Sequence, residues 1–207
     1  MVLKKVLLSA LAFSGLALAQ GTINTYAGND YARLPLAFEK QPGGLGERFV
    51  ARGQGYVIGV DNGKALIGVV TKGKNSHVVS LEFAGSQPSR HAVPGSELPG
   101  KVKWQIGLPT YARVTYPNTY PGIDVVYYGN QQQLEFDLVV KPDADSEAIP
   151  LKVEGAGKLS IDSSGALNPG EAAGGLRIAL PRIYQEVNGA RKSVAGHYGI
   201  VSRYEVA

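Results

Sequence analysis

The chain has 207 residues, with 21 lysines and arginines against 17 aspartates and glutamates, a formal charge of +4, and no cysteine. Disulfides, thiolate metal centres and thiol nucleophiles are thereby excluded. The basic residues are dispersed among acids, with Lys101-Val102-Lys103 the densest cluster, which argues against the basic stripe that a nucleic-acid surface needs.

The first residues predict export. Lys4 and Lys5 precede an apolar run over 6–18, and Ala17-Leu18-Ala19 places small residues at a cleavage position, the pattern of a signal peptide over residues 1–19. Ser9, Ser14 and Gly15 interrupt the run, which is short of the roughly 20 apolar residues that cross a bilayer. Cleavage removes two lysines and lowers the formal charge to +2. The expected location is extracellular, cell-surface or periplasmic, with no membrane span after cleavage.

From residue 20 onward the predicted elements are strands. Gly43-Gly44-Leu45-Gly46 lacks the Lys-Ser/Thr and following helix of a phosphate loop and is read as a turn. Residues 55–60 and 65–70 flank Asp61-Asn62-Gly63-Lys64, a hairpin with the Asn-Gly pair that tolerates positive φ. Further strands are predicted at 76–83, 112–116, 123–128, 134–140, 151–154 and 158–162. Loops are expected over 83–99 and 166–175, and a turn at Ser163-Ser164-Gly165. Asp143 is read as the N-cap of one helical turn inside a connector over 142–150 bounded by prolines. A last hairpin surrounds Asn188-Gly189. Twenty-seven glycines, twelve prolines and eleven tyrosines fit short strands and tight turns. The fold class is all-β: a single antiparallel, sandwich-like domain over 20–207, with a sub-boundary near residue 100 as the alternative.

Chemistry concentrates on the predicted hairpin over 123–140, whose turn falls near Asn130-Gln131-Gln132. Leu134, Phe136, Leu138 and Val140 alternate with Glu135, Asp137 and Val139, giving one apolar and one mostly polar face. Asp124, Glu135 and Asp137 are brought toward one another, and paired carboxylates can hydrolyse glycosides or ligate calcium. The plainer reading is a solvated polar face, or acids bonded to backbone and tyrosine hydroxyls. Tyr111, Tyr116, Tyr120, Tyr127 and Tyr128 are candidate binding platforms and equally good core residues. Tyr127 and Tyr128, being adjacent, point to opposite faces. Asp143, Asp145 and Glu147 lack the glycine and distal glutamate of an EF-hand loop. His77, His91 and His197 have no zinc-ligand spacing, and no Gly-x-Ser-x-Gly elbow is present.

The run from Tyr120-Pro121-Gly122-Ile123-Asp124-Val125-Val126-Tyr127-Tyr128-Gly129-Asn130 to Leu134-Glu135-Phe136-Asp137 resembles the uncharacterised N-terminal domain of bacterial SBBP-repeat (β-propeller repeat) cell-surface proteins. Leu34-Pro35-Leu36-Ala37-Phe38-Glu39, Leu98-Pro99-Gly100-Lys101, Pro109-Thr110-Tyr111-Ala112-Arg113-Val114 and Tyr184-Gln185-Glu186-Val187-Asn188-Gly189 extend the likeness over 34–206. The resemblance implies a domain that precedes propeller repeats in large exported proteins, and brings no activity with it. Residues 101–108 look like a shortened loop. The sequence stops at Ala207, where relatives continue into repeats, so a stand-alone or truncated version is expected.

The functional expectation is a non-catalytic exported β module for adhesion, assembly or ligand binding, whose partner is a protein or glycan at the cell surface. It has no assigned catalytic, cofactor-binding or metal residue, with calcium the ion that its acids could ligate, and its candidate polar and aromatic site is Asp124, Tyr127, Glu135 and Asp137. The alternative is a carbohydrate-active enzyme using Asp124 with Glu135 or Asp137.

Overall fold

A computed structural model describes residues 36–42, 47–53, 55–61, 63–69, 77–87, 91–99, 108–130, 133–145 and 149–207, together with the backbone course of 3–13. Ala17-Leu18-Ala19, the Gly43–Gly46 turn, Asn62, Gln131-Gln132, Glu147 and most of the loop after Gly100 lie outside the described residues.

The strands run in chain order as β1 (Leu3–Phe13), β2 (Phe38–Gln41), β3 (Arg48–Gly53), β4 (Tyr56–Asp61), β5 (Lys64–Val69), β6 (His77–Phe83), β7 (Val93–Pro94), β8 (Thr110–Tyr111), β9 (Arg113–Tyr120) and β10 (Ile123–Asn130). They continue as β11 (Gln133–Val140), β12 (Leu151–Glu154), β13 (Ser160–Ile161), β14 (Leu167–Asn168), β15 (Leu176–Ile178), β16 (Arg182–Val187), β17 (Ala190–Val194), β18 (Ile200–Ser202) and β19 (Glu205–Val206). One sheet has the order β13-β14-β15-β1-β11-β10-β9-β7, with β16 also pairing β1 and β17 pairing β16. The other has the order β18-β19-β12-β6-β5-β4-β3-β2-β8. The pairing is antiparallel throughout, as the all-β expectation required.

Local chemistry sets the turns. Asp61 pairs Lys64 across a two-residue loop with Gly63 at φ +67, and Asn188 and Gly189 take φ +52 and +78 between β16 and β17. Both are the left-handed conformations that type I′ hairpins demand. Side chains of alternate residues then fill one core between the sheets. Phe83 of β6 meets Phe136 of β11 edge-on at 5.3 Å. The Tyr116 hydroxyl of β9 donates across the sandwich to the carbonyls of Glu47 and Val60 at 2.8 and 3.0 Å. Strands from both sides of residue 100 share each sheet: β8 pairs β2, and β7 pairs β9.

Three expectations change in detail. Asp143 has φ +66 and Ala144 N–H donates to the Lys141 carbonyl at 3.2 Å, so 141–144 is a turn, and the rest of the helical turn expected after Asp143 falls on 146–148, outside the described residues. Residues 166–175 form β14 and a 3-10 turn over Glu171–Ala173, because Gly170 at positive φ and left-handed Gly174 fold Leu167 and Ala173 back into the core. The strand expected over 158–162 shortens to Ser160–Ile161.

Residues 3–13, expected as part of a signal peptide, lie in the full chain as an interior strand. One edge pairs β11 from Lys4↔Val140 to Leu11↔Leu134. The other edge pairs β16 from Leu3↔Glu186 to Leu7↔Arg182 and β15 from Leu11↔Ile178 to Phe13↔Leu176. No helix among the described residues is long and apolar enough to cross a membrane.

Candidate functional site

The predicted acids lie on the outer face of β10 and β11. Register pairs Asp124 with Val139, Val126 with Asp137 and Tyr128 with Glu135, so the row runs from Asp124 at the Val140 end to Tyr128 and Glu135 at the other. At a rise of about 3.4 Å per residue, the Asp124 and Glu135 backbones stand roughly 13 Å apart. Asp124 belongs to its own end: its Oδ1 accepts from Asn118 N–H at 2.8 Å and Lys141 Nζ at 3.2 Å. There it closes the irregular β9–β10 pairing, where Asn118 takes φ +51.

Glu135 and Asp137 are adjacent on that face and both buried, at 8% and 4% exposure. Tyr128 Oη donates to Asp137 Oδ1 at 2.9 Å, and Asn130 Nδ2 donates to Glu135 Oε1 at 2.8 Å. Burial, then the charge and hydrogen bond of Asp137, and then those of Glu135 push the Tyr128 phenol well above its usual range. It stays a protonated donor through neutral pH. The cluster therefore clamps carboxylates in place. Among the described residues, no three histidine or acid side chains gather to hold a metal.

Tyr127 lies in the core, edge-on to Tyr116 at 6.0 Å and tilted against Phe136 at 6.2 Å. Its hydroxyl is buried without a hydrogen-bond partner. As alternation requires, Tyr128 takes the opposite face, so the structure divides the predicted aromatic pair between interior and outer surface. Tyr120 donates to the Ala84 carbonyl at 2.7 Å, and Tyr111 packs edge-on against Phe49. His77 and His197 are exposed, and His91 Nδ1 approaches Glu47 Oε2 at 3.2 Å.

A second surface escaped the sequence reading. On the outer face of β3 to β6, register sets Arg52–Val57–Gly68–Val78 in one row and Val50–Gly59–Leu66–Ser80 in the next. Val57, Leu66 and Val78 are exposed at 38%, 45% and 55%. A side-chain carbon at Gly59 would meet nothing within 4 Å, so the floor between them is flat. Arg48–Asp61 and Lys64–Glu82 ion pairs, at 3.2 and 3.3 Å, border the patch. The signal was present in Tyr56-Val57-Ile58-Gly59-Val60 and Ala65-Leu66-Ile67-Gly68-Val69, where neither alternate set is polar.

Three carboxylates anchor structure elsewhere. Glu47 takes Ala92 N–H at 2.6 Å and the Lys40 ammonium. Buried Glu39 takes Arg52 Nη1 at 3.0 Å. Asp162 takes Ser164, Ala166, Asn168 and Arg177, and Asp162-Ser163-Ser164-Gly165 is the sequence signal of such a side-chain-bonded turn.

No curated protein and no solved structure matches the chain. Residues 48–206 match a family model described as a domain of unknown function (DUF7948).

Proposed function

Starting from a chain that belongs to the DUF7948 family, we propose that it is a non-catalytic exported module that binds a protein or glycan partner at the cell surface, in adhesion or assembly. The observation that carries this reading is the flat apolar patch of Val57, Leu66 and Val78 bordered by ion pairs. An apolar centre with a charged rim is the anatomy of a recognition surface. Export is supported by Lys4, Lys5, the apolar run over 6–18 and Ala17-Leu18-Ala19. The resemblance of residues 34–206 to the domain that precedes propeller repeats supports a place within a larger surface assembly.

The engagement of Asp124 with Lys141, and of Glu135 and Asp137 with Asn130 and Tyr128, supports a structural role for these acids over a catalytic one. Retention of the exported, labelled protein on intact cells and on an immobilised glycan panel tests the reading. Leu66→Gln with Val78→Gln should weaken retention at least about tenfold while shifting stability by less than about 1 kcal/mol, as surface substitutions do. Retention equal to wild type would sink the patch as the binding surface. Glycan turnover that disappears in Asp124→Asn would replace the proposal with a carbohydrate-active enzyme.

A further inference from the structure

We propose that the outer face of the second sheet docks a second copy of this chain, about a twofold axis that runs parallel to the strands midway between β5 and β6. The inference rests on the reading of that face as a recognition surface, and it names the partner. Register lines up one row of charges across six strands: Arg48, Asp61, Lys64, Glu82, Lys152 and Glu205. The signs alternate along the whole row, over about 24 Å at the usual strand spacing. An alternating row of even length is its own complement when read backwards, and a twofold contact imposes that reversal on a surface that meets itself. With the axis between β5 and β6, Lys64 faces Glu82 of the second copy, Asp61 faces its Lys152 and Arg48 faces its Glu205.

Side-chain volume selects the same axis. The next row on this face sets Leu66 of β5 beside Ser80 of β6, and the row after it sets Gly68 beside Val78. Across the axis, exposed Leu66 comes down on small, buried Ser80 of the second copy, and exposed Val78 comes down on Gly68, which has no side chain. Symmetry repeats both contacts, so large residues enter the places of small ones throughout the centre. The other axis in the plane, across the strands through the Leu66 row, would set Asp61 over Val57, Glu82 over Val78 and Arg48 over Arg52. Charge would then cover apolar groups or meet like charge, an arrangement that costs desolvation without a partner.

The area sets the strength. Six strands of about six residues give a footprint of roughly 480 Å² per copy, smaller than the about 800 Å² a side of a standard stable interface. The association is therefore weak and reversible, with a Kd of about 10 to 100 µM. A foreign partner would need complementarity to this face but would place no demand that the face complement itself.

Protein purified from cells expressing the full chain is followed by sedimentation velocity from about 1 µM to about 1 mM. The wild type is expected to pass from monomer to dimer across that range. Lys64→Glu sets acid against acid across the axis, and Glu82→Lys sets ammonium against ammonium, so each variant alone should dimerise at least about tenfold more weakly. Mixed in equal amounts, the two should form a heterodimer about as tight as the wild-type dimer, because each contact then joins opposite charges; mixing repairs no defect of folding in either chain. A wild type that stays monomeric at about 1 mM overturns the inference, as does a dimer indifferent to both substitutions or a mixture that fails to recombine. Retention on cells judges the underlying reading separately. A monomeric wild type whose retention is lost in Leu66→Gln with Val78→Gln overturns the second copy and keeps the patch as a surface for another molecule, whereas a monomer whose retention is unchanged by that pair sinks both.

Discussion

β5 and β11 lie at interior positions of the two sheets, yet their outer faces are treated in opposite ways. On β5 the outward residue is apolar Leu66, and it is 45% exposed. On β11 the outward residues include Glu135 and Asp137, and both are buried. Residue type therefore does not decide exposure on these faces; the neighbours do. Leu66 lies beside Gly59, which has no side chain to cover it, whereas Glu135 and Asp137 receive donors from Asn130 and Tyr128 on the adjacent strand. The uncovered apolar face is the one proposed to contact another molecule, and the covered acidic face is bonded within the fold.

Truncation on the core side gives the largest expected effect. Phe136→Ala removes a ring packed against Phe83 and Tyr127 and should cost about 3 to 5 kcal/mol in chemical denaturation. Leu66→Ala on β5 should cost less than about 1 kcal/mol. Near-equal losses would end the contrast between the strands.

Next in size is the outer face of β11. Tyr128→Phe keeps the ring and deletes the donor to Asp137, and loss of a hydrogen bond to a charged group of this kind costs about 1.5 to 3 kcal/mol at most. We expect roughly 1 kcal/mol by urea unfolding, since Asp137 has a further interaction. No change would mean that Tyr128 covers Asp137 without stabilising it.

Much of this architecture was legible in the sequence. The two Asn-Gly hairpins are stated outright by residues whose backbone preferences are local, and the alternation of β11 correctly assigned Leu134, Phe136, Leu138 and Val140 to the core. Burial of Glu135 and Asp137 was not legible, because it depends on Tyr128 and Asn130 arriving from the preceding strand. Asp124 shares their face and yet answers to Lys141 and Asn118, a separation that only register reveals. The pairing of residues 3–13 was hidden for another reason: an apolar run preceded by lysines reads as an export signal, and its strand potential has the same composition. Residues 166–175 read as loop because Gly170 and Gly174 mark turns without showing that Leu167 before them and Ala173 between them are core.

The smallest expected effect concerns Asp162, a carboxylate that keeps its charge by hydrogen bonding where Glu135 and Asp137 are buried. The Ser164 hydroxyl, the Arg177 guanidinium, and the Ala166 and Ser164 amides hold it far below the usual carboxylate range. About 31% of its side chain is open to water, so the charge pairing is screened and the effect is modest. Because the folded-state value is depressed, the stabilisation is complete above the unfolded value, near pH 4. It is lost as the pH falls from there toward the folded value. Asp162→Asn carries no charge at any of these pH values and should lower the melting temperature at pH 7. The gap to wild type should narrow steadily from about pH 4 to pH 2. A gap that stays constant over that range would mean that Asp162 shapes the β13–β14 turn through geometry alone, and the contrast with the covered acids of β11 would then be one of position rather than of charge.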